Sequence, residues 1–231
     1  MLKINRKLFL LTFLSVLFAT NVSTQDWASL ERFKKENASL ILSPDQSDRV
    51  VFMGNSITEG WLQDSTSMFH QYGFINRGIS GQTTPQMLLR FRQDVVDLNP
   101  KVVVILAGIN DIAGNTGPST LDMIFDNIQS MVEIALANNI KVVLSSVLPA
   151  KDFPWRPGLE PAEKVVRLNE MMEDHAKKKD LIYLDYFSRM VNGNLGLKEE
   201  LTYDQVHPTL VGYKVMEPLA LEAVHKALQR N

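Results

Sequence analysis

The chain has 231 residues, 45% hydrophobic and 22% charged, with a formal net charge of −2 and no cysteine. That length suits one domain with a sizeable core, and the near-neutral charge gives no bulk electrostatic reason for a nucleic-acid partner. Without a thiol, the chain can hold no disulfide, thiolate metal site or cysteine nucleophile, and no lipid anchor on an N-terminal cysteine.

Residues 1–24 read as a secretory signal peptide, and residues 25–231 as the working domain. Lys3, Arg6 and Lys7 give a positive start, and Leu8 to Ala19 form an apolar run broken only by Thr12 and Ser15. Small and polar residues follow, and the run is too short to span a bilayer comfortably, which disfavours a retained membrane anchor. Cleavage is expected near Gln25, giving a periplasmic or secreted protein with a net charge of −5. Asn37-Ala38-Ser39 fits a glycosylation sequon.

From Arg49 onward, strand-like and helix-like segments alternate. Strands are expected at Arg49–Met53, more weakly at Phe74–Asn76, and then at Lys101–Ala107, Lys141–Leu144 and Leu181–Leu184. Their unalternated β-branched runs suit strands buried on both faces. Thr84 can cap a helix with Pro85 at its first position and an apolar stripe through Leu88, Phe91, Val95 and Leu98. Ser119-x-x-Asp122 has the form of a capping box before a second helix, with a stripe from Leu121 through Ile124, Phe125, Ile128, Met131 and Ala135. A third helix spans Pro161–Lys178. A fourth runs from Pro208 to about Gln229, with Pro218 expected to kink or divide it. This alternation predicts an α/β fold with a central parallel sheet and helices on both faces.

Four polar blocks fall at strand ends or helix starts. They are Gly54-Asn55-Ser56-Ile57-Thr58-Glu59-Gly60, Arg77-Gly78-Ile79-Ser80-Gly81-Gln82-Thr83, Gly108-Ile109-Asn110-Asp111 and Asp204-Gln205-Val206-His207-Pro208. A parallel sheet gathers such blocks at the carboxyl ends of its strands, where ligands bind. Acyl transfer needs a nucleophile, a base, a group that orients the base, and oxyanion donors. Ser56, His207 and Asp204 can supply the first three, the last two being close enough in sequence to pair locally. The oxyanion donors would be the backbone N–H groups of Ser56 and Gly81 and the side-chain amide of Asn110. Each block alone has an ordinary reading as a turn, cap or helix start. Four in a fixed order at matching positions do not.

These blocks resemble those of the GDSL, or SGNH, hydrolases. The family's nucleophile falls on Ser56, its glycine on Gly81, its asparagine on Asn110, and its Asp-x-x-His pair on Asp204 and His207. The resemblance runs from Arg49 to the C-terminal helix. It implies a three-layer α/β/α flavodoxin-like fold and esterase chemistry without a metal or other cofactor. Asn55 stands where the family usually has Asp, and Ile57 where Leu is named; neither change removes a reacting group. The nearest branch is the one related to platelet-activating-factor acetylhydrolase, which includes carbohydrate deacetylating enzymes.

The expected activity is therefore hydrolysis of small acyl esters, acetyl first, on a carbohydrate or other small molecule. A lysophospholipid esterase, a sugar O-acyltransferase and a catalytically silent carbohydrate-binding module on the same fold are the alternatives. Trp61 and Trp155 are candidate walls of the substrate pocket. His175 and His225 are expected at the surface, and His70 in packing or solvent. A metalloenzyme is disfavoured by four scattered histidines, a dinucleotide enzyme by the missing Gly-x-Gly-x-x-Gly, and the larger α/β-hydrolase class by the missing Gly-x-Ser-x-Gly elbow.

Overall fold

A computed structural model describes residues 26–43 and 48–230; the expected signal peptide lies outside the described residues. Its centre is a five-stranded parallel sheet of β1 (Val50–Gly54), β2 (Ile75–Gly78), β3 (Val102–Ile105), β4 (Lys141–Ser145) and β5 (Ile182–Leu184), in the order β2-β1-β3-β4-β5. The register aligns Val51 with Ile75 on one side and Val103 on the other, and Val103 in turn with Val142. Every residue of β1, β2 and β3 is buried. For β1 and β3 the continuous apolar runs require it. β2 reads INRG and gives the weakest signal in the sequence, because Asn76 and Arg77 are polar yet buried.

The α-helices are α1 (Lys34–Leu42), α2 (Ser56–Gly60), α3 (Met68–Tyr72), α4 (Thr84–Asp94), α5 (Ile109–Ile112), α6 (Leu121–Ala137), α7 (Pro161–Lys178), α8 (Phe187–Met190) and α9 (Leu210–Gln229). α4, α6 and α7 pack in sequence against one another, while α9 lies along β3, β4 and β5. The result is the expected three-layer α/β/α arrangement. Strand order reverses between β1 and β3, so their carboxyl ends flank the crevice where ligands bind in such sheets. Among the described residues, no helix is long and apolar enough to cross a membrane.

Several local expectations are corrected. The cap of α4 is Thr83, which forms a reciprocal capping box with Gln86, so Thr84 is the first helical residue. The cap of α6 is Thr120, whose side chain accepts from Met123 N. In both places two hydroxyl residues adjoin, and the one with extended backbone takes the role. α9 starts at Leu210 behind a Thr209 cap and continues undivided through Pro218. His175 is buried, 5% exposed, with Nδ1 against Gln129 and its ring edge-on to Phe125. Asn37, in the sequon, is buried too: its amide donates to Asp94 Oδ1 at 2.7 Å and its carbonyl accepts from Arg77. A glycan has no room there.

Candidate active site

Ser56 opens α2 directly after β1. Asn55 Oδ1 caps the helix by accepting from Ile57 N at 3.0 Å. Gly78, at the end of β2, lets α2 come this close: a Cβ there would stand 2.2 Å from Glu59 N and 2.8 Å from Asn55 O. Gly81 lies in the next turn with φ +78°, a conformation that L side chains rarely adopt. This backbone angle, rather than close packing, requires glycine, since an added Cβ would meet nothing nearer than 3.9 Å.

His207 arrives from the loop before α9. Thr202 pairs with Pro208, Tyr203 N donates to His207 O, and Thr202 Oγ1 donates to the same carbonyl at 2.7 Å. Within this closed loop, Asp204 Oδ1 accepts from Val206 N and His207 N, at 3.0 and 2.7 Å. Its other oxygen lies 2.6 Å from His207 Nδ1, and His207 Nε2 lies 2.9 Å from Ser56 Oγ. Burial pushes the Asp204 carboxyl up, but the hydrogen bonds from His207 and Val206 outweigh it and hold the group below the usual carboxylate range. It is therefore an anion at neutral pH, placed to keep the imidazole proton on Nδ1 and leave Nε2 free to accept from the serine.

Asn110, on α5, donates one amide hydrogen to Gln82 O at 2.9 Å, which fixes the amide's orientation. The N–H groups of Ser56 and Gly81 donate to no described residue. Ser56, Gly81, Asn110, Asp204 and His207 all line one cavity of about 660 Å³. The site thus brings together a candidate nucleophile, base, orienting acid and three candidate donors, the set that acyl transfer requires.

Trp155 stands on its rim, 49% exposed, with its ring centroid 5.9 Å from that of His207. Trp61 does not reach the cavity. It is 2% exposed and packs against Phe52, Phe69 and Tyr213, so its role is in the core. Two further lining residues are given no role by the sequence. Tyr203, 70% exposed, stacks on His207 at 5.7 Å between centroids and 12° between planes. Glu59 accepts from Ser80 N at 2.8 Å, from Ser80 Oγ, and from Arg32 at 3.2 Å. Burial raises its carboxyl, and these partners bring it below its ordinary value. The one signal for either is adjacency: Tyr203 precedes Asp204, and Glu59 lies one turn after Ser56. His70 is exposed on α3 and His225 on α9, away from the cavity lining.

Asp111 follows Asn110 but points the other way. Its two oxygens accept from Thr84 N at 3.0 Å each, and Oδ1 accepts from Thr84 Oγ1 at 2.6 Å. Burial pushes its pKa from 3.8 up to about 6. The folded protein then holds a proton that the unfolded chain releases, so this group's contribution to stability falls as pH rises from about 4 to about 6. The loss is roughly 3 kcal/mol. Asp111→Asn keeps the acceptor for Thr84 without the charge. Relative to wild type, its unfolding free energy should gain by that order between about pH 4 and 7 in urea titrations. A flat difference would contradict the assignment.

A parallel sheet with a Ser–His–Asp chain at its strand reversal defines a class, the acyl-transferring serine hydrolases of α/β/α architecture. The sequence profile of the GDSL-like Lipase/Acylhydrolase family matches residues 52–215, and the chain belongs to that family. It is an ester-hydrolysing enzyme. A putative acylhydrolase of Bacteroides fragilis is similar at 48% identity and a TM-score of 0.86, covering 89% of this chain and 100% of that one. A GDSL-like lipase of Bacteroides thetaiotaomicron is also 48% identical, with a TM-score of 0.83 over 87% and 98% of the two chains. An acetyl-xylooligosaccharide esterase from Geobacillus shares the fold at 18% identity, a TM-score of 0.61, and coverage of 77% and 94%. An uncharacterized lipoprotein of Bacillus subtilis, YqeF, is 37% identical over 78 residues, which span 32% of each chain.

Proposed function

We propose that the enzyme removes small acyl groups, acetyl first, from carbohydrate esters through a covalent acyl-enzyme on Ser56. The observation that carries the mechanism is the unbroken chain Ser56 Oγ–His207 Nε2–His207 Nδ1–Asp204 Oδ2, at 2.9 and 2.6 Å, opening into the cavity. Ser56 Oγ attacks the ester carbonyl as its proton passes to His207 Nε2, and Asp204 stabilises the imidazolium. The carbonyl oxygen takes the negative charge against Ser56 N, Gly81 N and Asn110 Nδ2. His207 then protonates the departing alcohol, and water attacks the acyl-serine by the same relay. Residues 1–24, on their basic start and apolar run, would export the enzyme toward such substrates.

The lining supports a neutral, hydroxyl-rich substrate. It includes Glu59, Gln63, Ser80 and Asn115 beside the reacting groups, and no Lys or Arg among the described residues. A phosphate-bearing lipid would find no lysine or arginine in this lining to receive its charge, Arg32 being engaged by Glu59. Trp155 and Tyr203 present exposed ring faces on which sugar rings can stack. The Geobacillus acetyl-xylooligosaccharide esterase, on the same fold, supports the same substrate class.

The test is a substrate panel comparing acetylated xylo- and other oligosaccharides, p-nitrophenyl esters of increasing chain length, and lysophospholipids. The highest kcat/KM on an acetylated sugar supports the reading; a preference for long acyl chains or lysophospholipids overturns it. On the preferred sugar ester, Trp155→Ala should raise KM about five- to twentyfold with kcat nearly constant, the loss of one stacking contact of about 1–2 kcal/mol. An unchanged KM would remove Trp155 from the binding surface.

A further inference from the structure

Beneath the site lies a buried charge network that supplies no reacting atom. Arg90 and Asp94 of α4 are both 0% exposed and pair at 3.0 Å. A buried pair of this kind is weak evidence for stability, because desolvation offsets much of the attraction. Its other bonds are more informative. Arg90 Nη2 donates to Gly54 O at 3.0 Å and to Arg77 O at 2.9 Å, and Arg90 Nε donates to Gln82 Oε1 at 2.6 Å.

Those acceptors sit at the roots of the oxyanion donors. Gly54 O is two residues before Ser56. The Arg77 carbonyl directly precedes Gly78, where the turn that carries Gly81 begins. Gln82 follows Gly81, and its own carbonyl accepts from Asn110 Nδ2. Gln82 is also held from the far side, where its Nε2 donates to Ala28 O at 2.8 Å. One planar guanidinium with fixed donor directions therefore joins the segments bearing Ser56 and Gly81 and reaches Asn110 through Gln82, a task a lysine's single ammonium could not duplicate.

We infer that Arg90, acting through Gln82, is the positioning residue of the oxyanion hole. It sets the separation of Ser56 N, Gly81 N and Asn110 Nδ2. This rests on the acyl-enzyme reading above. Donors in such a hole act only when placed to fractions of an ångström around the developing oxyanion, so loosening one root costs rate without costing ground-state binding.

The experiment uses Gln82→Ala and Arg90→Lys in the full enzyme, assayed on p-nitrophenyl acetate beside Ser56→Ala. Gln82→Ala leaves the Arg90–Asp94 pair and all backbone acceptors in place, so it decides the matter if Arg90→Lys does not fold. Folding is read from cooperative thermal melts. The expected result is a kcat lowered about ten- to hundredfold in Gln82→Ala, of the order of one impaired oxyanion donor. The Ki of an aryl trifluoromethyl ketone, whose adduct places an oxyanion in the hole, should rise in proportion. The pH midpoint of kcat/KM should stay at the wild-type value, because the base is untouched. Folded Gln82→Ala with kcat and Ki within about twofold of wild type would overturn the inference, since a lost positioning contact must register in both. So would a shifted pH midpoint, which would place the effect on the triad. If Ser56→Ala keeps wild-type activity, the acyl-enzyme reading itself has failed and the inference falls with it.

Discussion

Ser56→Ala and His207→Ala should each abolish measurable turnover of p-nitrophenyl acetate, lowering kcat by about 10⁴- to 10⁶-fold while leaving the melting temperature nearly unchanged. The expected size follows from a nucleophile and base that act as one unit, in which losing either costs about as much as losing both. The 2.9 Å contact between Ser56 Oγ and His207 Nε2 is the link through which the serine proton leaves. The fold should tolerate both changes. Ser56 and His207 are half-buried at a cavity wall, and the loop holding His207 is closed by backbone and Thr202 bonds that do not involve its ring. The double variant should be no slower than either single one, and a further loss in it would mean that the two residues act separately.

Asp204→Asn should lower kcat by about a thousand- to ten-thousandfold. The carboxamide oxygen of this variant can still accept from Val206 N and His207 N, so the loop keeps its shape. The oxygen facing His207 Nδ1 at 2.6 Å is replaced by an amide nitrogen, which can only donate. The imidazole must then present its Nδ1 lone pair, which moves the ring proton to Nε2. Facing Ser56 with a hydrogen, the ring cannot take the serine's proton. Steady-state kinetics with a thermal melt at neutral pH checks this. A folded variant within about tenfold of wild type would show that Asp204 does not orient the base.

Much of this architecture is legible in the chain. β1, β3 and β4 announce themselves because parallel strands covered on both faces need unbroken apolar runs. α7 is readable to the residue, since Pro161 starts it and Lys177 and Lys178 end it. The four polar blocks are legible because residues far apart in sequence must each follow a strand or enter a helix to meet. What stays hidden are polar groups whose partners lie elsewhere in the chain. Arg77, Arg90 and Asp94 look like solvent-facing charges on a local pattern, yet they are buried because Asn37, Gln82 and two strand-end carbonyls satisfy them. α1 carries no apolar stripe and buries only Asn37, so periodicity gives it no signal. Trp61 and Trp155 are the same residue type in similar connecting segments, and only tertiary packing sends one into the core and the other to the rim.

The central claim is that Ser56 is an activated nucleophile. The most direct measurement is to treat the folded enzyme with a fluorophosphonate and locate the adduct by peptide mass spectrometry. One adduct per chain on Ser56, absent in His207→Ala, is the expected result. Folded wild type that takes no label, or takes it on another residue, would contradict the account and return the cavity to a binding role.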